Sequence, residues 1–157
     1  MQEVYMEIKL EKVSIDDITS INNIQKLAFY ESYEKYKFCP AYETTDEQLI
    51  SFLERADAYK IILDDKIVGS IFICKQGDRR YELNTITIQP EYQNIGIGGK
   101  AIQKVEGFYN DALVWTLMTP ETDYRNNHLY EKFGYKRIGL NIINEYLNLI
   151  IYEKKII

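Results

Sequence analysis

Closely spaced glycines mark the part of the sequence best suited to bind a ligand. Residues 93–100 read QNIGIGGK and lie between a predicted strand and a predicted helix. Glycine lets backbone N–H groups approach an anion closely, and the N-terminus of a helix adds partial positive charge. Phosphate or pyrophosphate is the ligand that suits such a loop.

Two well-known phosphate-binding patterns do not fit this spacing. A dinucleotide-binding GxGxxG motif that starts at Gly96 requires glycine at position 101, where the chain has Ala101. A P-loop that ends at Lys100 requires glycine at position 94 and Ser or Thr at position 101, and Asn94 and Ala101 meet neither requirement. On spacing alone, a glycine-rich turn without a ligand stays open as well.

The composition and charge of the chain limit the classes of function it can have. Of its 157 residues, 46% are hydrophobic and 27% are charged, and we expect residues 1–157 to form a single globular domain. The net charge of −5 argues against a protein that binds nucleic acid by neutralising phosphates. A cationic small molecule or a basic peptide is compatible with that charge.

The cysteine and histidine content argues against disulfide and metal chemistry. Cys39, Cys74 and His128 lie far apart, without the CxxC or HxxxH spacing of a zinc site. Two cysteines are also too few for a disulfide scaffold, so we expect neither a scaffold nor a bound metal. The first residues do not resemble a signal peptide, and no run approaches the roughly 18 apolar residues of a membrane span. We expect a cytoplasmic protein that does not act at a membrane.

The elements that position the glycine-rich loop follow from the hydrophobic periodicity. Their order is βααβββαβαββ, which is typical of a mixed α/β (α+β) domain. Strands are predicted at residues 5–10, 59–63, 67–74, 82–88, 114–118, 135–143 and 146–152, and helices at residues 14–28, 44–58, 98–110 and 123–133.

Two local patterns carry more specific predictions. Thr44 and Glu47 have the spacing of a capping box, which predicts that the second helix begins there. Residues 82–88 alternate as ELNTITI, which predicts that Glu82 shares one face of a strand with Ile86 and Ile88.

The loop pattern Gln-x-x-Gly-x-Gly after a strand resembles the acetyl-CoA pyrophosphate loop of the GNAT superfamily of N-acetyltransferases. The segment ELNTITIQPEYQNIGIGGKAI resembles the central strand, loop and helix of that family, and NHLYEKFGYKRIG resembles its later helix and the strand that follows. The clear match covers residues 81–139, and the predicted element order is also the family's. The resemblance implies a mixed, mostly antiparallel central sheet flanked by about four helices.

The resemblance also implies a binding site for acetyl-CoA. The pantetheine arm would pair with the backbone of the central strand, and the Ile88 amide would polarise the thioester carbonyl. The pyrophosphate would be held by the backbone amides of the loop and by Lys100. Asn127 would contact an amide group of CoA. The implied cofactor-binding residues are Ile86, Thr87, Ile88, Gln93, Asn94, Ile95, Gly96, Ile97, Gly98, Gly99, Lys100, Asn127 and Tyr130.

Acetyl transfer to an amine requires two proton movements, and the resemblance assigns a residue to each. Glu82, eleven residues before Gln93, corresponds to a glutamate that acts as general base in some family members. Tyr130 corresponds to the tyrosine near the CoA sulfur, where a phenol can donate a proton to the departing thiolate. A solvent-facing strand glutamate and a core tyrosine are the structural alternatives.

The acceptor is expected to be a primary amine of a small molecule, a peptide or a protein. Aromatic residues and carboxylates at residues 29–42 suit a cationic amine, and we expect Tyr33, Glu34 and Glu82 to contact it. A module that binds CoA or another phosphate ligand without catalysis is the alternative function, and an acyl group other than acetyl also stays open. The apolar segment 146–157 could form an edge strand that pairs with a second copy, so a homodimer is among the expected assemblies.

Overall fold

A mixed sheet is the centre of the computed structural model, which describes residues 6–156. The seven strands of these residues are β1 (Lys9–Lys12), β2 (Asp57–Leu63), β3 (Lys66–Gly77), β4 (Arg80–Ile88), β5 (Val114–Pro120), β6 (Lys136–Asn144) and β7 (Leu147–Lys155). They lie in the order β1-β2-β3-β4-β5-β7-β6, and only the β4–β5 pair is parallel. The prediction of a mixed, mostly antiparallel sheet is confirmed.

Five helices connect the strands within residues 6–156. They are α1 (Ile18–Tyr36), α2 (Pro40–Glu43), α3 (Asp46–Phe52), α4 (Ile97–Phe108) and α5 (Tyr124–Lys132). None of these described helices is long and apolar enough to span a membrane. The predicted element order is confirmed, with the four-residue α2 as an additional helix. Of the predicted first strand, Tyr5 lies outside the described residues, and β1 begins at Lys9.

The predicted capping box at Thr44 is wrong by one residue. The Thr45 amide donates to Gln48 Oε1 at 2.9 Å, and the Gln48 amide donates to Thr45 Oγ1 at 3.2 Å. The Thr44 hydroxyl instead donates to the carbonyl oxygen of Pro40, at the end of α2. The helix also ends earlier than predicted, because α3 stops at Phe52 and residues 57–63 form β2.

The two faces of the sheet pack against different helices. On one face, Ile102 and Val105 of α4 belong to the same buried cluster as residues of β3, β4, β5 and β7, with α5 packed against it. On the opposite face, Ile18 and Ile21 of α1 pack with Leu49 of α3. The face to which a residue of β4 points therefore decides which helices it meets.

A β-bulge at Asn84 interrupts the alternation of β4. Ile73 of β3 lies opposite Leu83, whereas the preceding residue Phe72 lies opposite Thr85, so Asn84 is an extra residue without a partner. Asn84 is exposed. Because a bulge inserts one residue, the residues after it point to the opposite face from the one that simple alternation assigns.

The bulge overturns the predicted arrangement of faces along β4. Leu83 and Ile86 both pack against the cluster that includes α4, and Ile88 packs against a neighbouring cluster that includes residues of the same helix. Glu82 precedes Leu83 directly and therefore points to the α1 face. The prediction that Glu82 shares a face with Ile86 and Ile88 is wrong.

β4 and β5 are paired over three residues only. Arg80, Tyr81 and Glu82 lie opposite residues 114–116 of β5. Beyond Glu82, β4 continues to Ile88 while β5 continues to Pro120, with no further pairing between them. The two strands therefore leave a gap in the sheet that opens toward the end of β4.

The predicted edge strand at the C-terminal end of the chain is wrong. β7 lies between β5 and β6 and pairs with both strands. The edge on that side of the sheet is β6, on which Ile138, Leu140 and Ile142 are exposed. Ile157 lies outside the described residues.

The close approach of β3 to β4 depends on a glycine, which gives a first prediction. A Cβ atom on Gly69 would lie 2.1 Å from the carbonyl oxygen of Thr87. Gly69→Ala must therefore push the strands apart, and we expect it to lower the free energy of unfolding by about 1–3 kcal/mol, as overpacking does. Gly107→Ala is the matched control, because a Cβ atom there would meet no neighbouring element within 4 Å and alanine favours the helix. Denaturant unfolding measures both variants, and a Gly69→Ala protein as stable as wild type would contradict the argument.

Candidate functional site

A cleft of about 540 Å³ lies beside the unpaired end of β4. Helix α1 forms one wall, β4 contributes its last residues, and the loop before α4 and the first turns of α4 and α5 form the other sides. The lining residues are Ala28, Phe29, Glu31, Ser32, Ile86, Thr87, Ile88, Tyr92, Gln93, Asn94, Gly96, Ile97, Gly98, Gly99, Ile102, Asp123, Arg125, Asn126, Leu129 and Tyr130. The cleft therefore brings the glycine-rich loop and the free edge of β4 together.

The glycine-rich loop enters α4 through two residues in the left-handed region. Asn94 has a φ of 69° and Gly96 has a φ of 92°, and Gly96 is the N-cap of α4. The next three residues, 97–99, form the first turn of the helix, where backbone N–H groups have no helical carbonyl to bind. They line the cleft and are suited to an anion. Ile95 is half exposed and does not line the cleft.

The side chain of Gln93 connects this loop to the end of β4 by a hydrogen bond. Its Nε2 donates to the carbonyl oxygen of Ile88 at 2.9 Å, and its backbone amide donates to the carbonyl oxygen of Pro90 at 3.2 Å. Both groups tie the loop back to the end of β4. Gln93 therefore lines the cleft as a residue that fixes the loop, and its amide already has a partner.

The two glycines at the start of α4 have different roles. A Cβ atom on Gly99 would lie 2.8 Å from Phe133 Cζ, so this glycine allows α4 to pack closely against the end of α5. A Cβ atom on Gly98 would meet only Leu129, at an ordinary contact distance of 3.8 Å. Gly98 is therefore not required by packing in the same way.

The backbone groups of β4 alternate between β3 and the gap. The Gln89 amide donates to the carbonyl oxygen of Val68 at 2.8 Å, toward β3. In an antiparallel pair, successive residues direct their backbone groups to opposite sides of the strand. Ile88 and Ile86 therefore direct their amides and carbonyls toward the gap, and Thr87 directs its own toward β3. The predicted backbone contact from Thr87 is not available in this arrangement.

Thr87 lines the cleft, and its side-chain hydroxyl group is buried. Its side chain is 1% exposed, and Oγ1 has no hydrogen-bond partner among the described residues. Ser70 lies directly opposite on β3 and is likewise buried with an unpartnered Oγ. This strand pair therefore offers two unused hydroxyl groups beneath α1.

Tyr130 of α5 lines the cleft and packs on two other tyrosines. Its ring centroid lies 6.3 Å from that of Tyr135 and 6.2 Å from that of Tyr152. Burial raises the pKa of the Tyr130 phenol above its usual range, and the charge of Asp123 raises it further. Tyr130 is therefore protonated at neutral pH and able to donate a proton.

Glu82 lies at the point where β4 and β5 part. It is half-buried on the α1 face, and its Oε1 accepts a hydrogen bond from Asn84 Nδ2 at 3.0 Å. Cys74 lies opposite on β3, where burial raises the pKa of the thiol and the charge of Glu82 raises it further. The thiol is thus protonated and is a poor nucleophile. Glu82 does not itself line the cleft.

The profile of the acetyltransferase (GNAT) family matches residues 16–135 of this sequence. The chain belongs to the GNAT family. The match includes α1, the gap between β4 and β5, the glycine-rich loop and α5, which are the parts that form the cleft.

Solved structures of GNAT proteins share this fold. The PaiA N-acetyltransferase from Thermoplasma acidophilum, in complex with coenzyme A, has a TM-score of 0.78 and 19% identity over 96% of this chain and 100% of that one. A spermidine N-acetyltransferase SpeG chimera from Vibrio cholerae has a TM-score of 0.77 and 16% identity over 94% and 95%. A GNAT acetyltransferase from Elizabethkingia anophelis with acetyl-CoA bound has a TM-score of 0.71 and 15% identity over 95% and 98%.

A curated relative matches part of the chain. The uncharacterized protein YrkN of Bacillus subtilis is 29% identical over 92 residues, which are 58% of this chain and 48% of that protein. The matched region thus spans about half the length of this relative.

The structure does not bring the predicted acceptor residues Tyr33 and Glu34 to the cleft. Tyr33 stacks on Tyr42, with ring centroids 4.7 Å apart, and Glu34 is exposed. The sequence predicts that the first helix ends at residue 28, whereas α1 continues to Tyr36. In a helix, only the residues on the face toward β4 can reach the cleft. The α1 residues of the cleft include Phe29 and Glu31 instead.

Lys100 points away from the glycine-rich loop. Its Nζ donates to the carbonyl oxygen of Met6, near the start of β1. Its backbone amide donates to the carbonyl oxygen of Gly96 at 3.2 Å. The predicted contact between Lys100 and a pyrophosphate is not formed in this arrangement.

Asn127 is used within the protein. It is 7% exposed, and its Nδ2 donates to the carbonyl oxygens of Pro120 and Glu121 at 3.2 and 3.1 Å. Its Oδ1 accepts a hydrogen bond from the Tyr152 hydroxyl at 3.0 Å. Asn127 thus fixes the start of α5 to β5 and β7 with both protons of its side-chain amide, and it does not line the cleft.

Three residues at the start of α5 line the cleft but were not predicted to do so. They are Asp123, Arg125 and Asn126. Asp123 caps the helix, because its side chain accepts a hydrogen bond from the Asn126 amide at 3.3 Å. The spacing of Asp123 and Asn126 from Tyr130, seven and four residues, places them on its helical face and is the signal that could have identified them. Within residues 6–156, no group of three or more His, Cys, Asp or Glu side chains is arranged to hold a metal ion.

The raised pKa values give a prediction about alkaline pH. The folded protein keeps several phenols protonated above the usual tyrosine pKa of about 10, where the unfolded chain releases those protons. These groups should therefore leave the free energy of unfolding independent of pH below about pH 10 and lower it as the pH rises above that value. The tyrosines concerned are Tyr81, Tyr109, Tyr130, Tyr135 and Tyr152.

Tyrosinate absorbance followed together with circular dichroism tests this prediction. We expect some of the 14 tyrosines to ionise in the folded protein and the buried set to ionise only as the protein unfolds. Tyr130→Phe should reduce the amplitude of the second phase. A single ionisation phase with unchanged circular dichroism would contradict the assignment.

Proposed function

We propose that the chain transfers acetyl from acetyl-CoA to a primary amine, by direct transfer within a ternary complex. The proposal depends on one observation: the first turn of α4 and the unpaired end of β4 line the same cleft. The first-turn amides of α4 suit the pyrophosphate. The backbone groups of Ile86 and the amide of Ile88 face the same cleft, where an extended pantetheine arm can pair as an added strand. The acetyl end would then lie near the point where β4 and β5 part.

Two residues have the properties required for the proton movements. The amine nitrogen attacks the thioester carbonyl carbon, so that a C–N bond forms and the C–S bond breaks. Glu82 would take the proton that the amine loses, directly or through a water molecule. Tyr130 would give its proton to the departing sulfur, since its phenol is protonated at neutral pH and lines the cleft. The Ile86 or Ile88 amide would stabilise the negative charge on the thioester oxygen.

The charges of the cleft support an amine acceptor. Glu31 of α1 and Asp123 of α5 contribute carboxylates to the lining, and the whole chain carries a net charge of −5. These carboxylates would attract a cationic group to their own part of the cleft, away from the first turn of α4. The spermidine N-acetyltransferase among the fold neighbours is compatible with this class of acceptor.

We propose a single catalytic domain for the chain, since all described strands belong to one sheet.

Release of free thiol from acetyl-CoA, measured over a panel of amines, tests the proposal. Thermal stability is measured in parallel, since a ligand at 100 times its Kd adds about 2.7 kcal/mol of stability. We expect stabilisation by acetyl-CoA, little effect of ATP or NAD, and thiol release with at least one amine class.

The other outcomes of this experiment separate the alternatives. Stabilisation without thiol release for any amine would favour a CoA-binding module over an enzyme. Faster turnover with a longer acyl-CoA would replace acetyl as the transferred group. No stabilisation by millimolar acetyl-CoA would contradict the proposal as a whole.

Substitutions at the two catalytic positions should have different pH signatures. Tyr130→Phe should lower kcat by about 10²-fold at every pH, because the sulfur loses its proton donor. Glu82→Gln should lower kcat by a similar factor near neutral pH and remove the decline at acid pH that reports protonation of a general base. Stopped assays of kcat against pH measure both. Wild-type kcat in Tyr130→Phe, or a Glu82→Gln profile with the wild-type shape and height, would remove the respective role.

A further inference from the structure

The cleft contains one cation that the proposed chemistry does not use. Arg125, the second residue of α5, is exposed and is the only Lys or Arg among the described residues that line the cleft. The loop residues at positions 93–95 are Gln, Asn and Ile, and Lys100 is directed to the Met6 carbonyl. The basic side chain that lines the cleft beside the anion-binding turn therefore comes from another helix.

A side-chain hydrogen bond holds Arg125 over the loop. Its Nη1 donates to Oδ1 of Asn94, which lies in the loop itself and has a left-handed φ of 69°. A guanidinium group has five N–H donors, so this contact leaves four of them for a ligand. Their planar fork matches two oxygens of a phosphate group.

Arg125 shares the start of α5 with a carboxylate, because Asp123 caps this helix. A cation in the first turn of a helix opposes the helix dipole, which favours negative charge there. Within residues 6–156, Arg125 forms no ion pair with Asp123 or with any other carboxylate, so its charge is available to a ligand. An anion bound between the first turn of α4 and Arg125 would be favoured by the N-terminus of α4 and by the guanidinium charge.

We infer that Arg125 binds the pyrophosphate of CoA and supplies the side-chain cation that residues 93–95 of the loop lack. The inference rests on the proposed function, since it names a further binding residue of the same site. Asn94 is a positioning residue in this arrangement, because it holds the guanidinium beside the loop. The pyrophosphate would thus lie between backbone amides of α4 on one side and the Arg125 side chain on the other.

Calorimetric titration with CoA and with dephospho-CoA, which lacks the 3′-phosphate, tests the inference. Arg125→Gln should weaken the binding of both ligands by about tenfold, the typical effect of losing a charged hydrogen bond. Arg125→Lys should recover part of the loss, because it keeps the charge without the fork. Arg125→Gln should also reduce the dependence of Kd on salt concentration.

Lys132→Gln is the matched control. It removes one positive charge from the same helix, at an exposed position that does not line the cleft, and should leave both Kd values unchanged. Asn94→Gly removes the side chain that holds Arg125, and glycine adopts the left-handed backbone at this position without strain. Introduced into wild type, it should weaken the binding of both ligands. Introduced into Arg125→Gln, it should have no further effect on binding. The melting temperature of each variant verifies that it is folded.

The outcomes separate this inference from the proposed function. If wild type binds CoA and Arg125→Gln binds CoA and dephospho-CoA as tightly as wild type does, the inference is overturned while the proposed function stands. If Arg125→Gln weakens CoA but not dephospho-CoA, Arg125 contacts the 3′-phosphate and the assignment to the pyrophosphate is overturned. If wild type binds neither ligand, the proposed function fails and the inference fails with it.

Discussion

The parallel contact between β4 and β5 ends after three residues, and the rest of the site depends on that early end. A strand edge without a partner leaves backbone amides and carbonyls that must find hydrogen bonds elsewhere. Here the Ile86 and Ile88 groups face a gap, with α1 on one side and α5 on the other. A gap of this kind would be costly inside a closed sheet. It is tolerable at a position where an extended ligand or water completes the ladder.

The bulge at Asn84 determines which side chains of β4 face α1 and which face α4. With unbroken alternation, Glu82 would point in the same direction as Ile86 and would lie against the apolar surface of α4. The extra residue allows apolar side chains to face α4 on both sides of the bulge, while Glu82 faces α1 and accepts a hydrogen bond from Asn84. One inserted residue thus separates a carboxylate from the apolar core.

The sequence predicts those parts of the protein that depend on local patterns. Element order, the glycine-rich loop and Tyr130 follow from periodicity, spacing and family resemblance. The bulge could not be predicted, because the ELNTITI pattern has no local feature that distinguishes an unpaired residue from a paired one. The orientations of Lys100 and Asn127 depend on partners far away in sequence, Met6 and Tyr152. Tyr33 and Glu34 were misplaced because α1 extends further than its apolar stripe indicates.

The position of β7 between β5 and β6 has a consequence for folding during synthesis. β5 pairs with β4 over only three residues, and its full-length partner is β7, which follows β6 in the chain. The ribosome therefore releases α4, β5 and α5 before the strand that holds β5 in place has been made. Until β7 inserts, Trp115 and Leu117 lack neighbours that bury them in the finished core. Such non-local pairing slows folding, and the nascent chain must carry this apolar strand unpaired in the meantime.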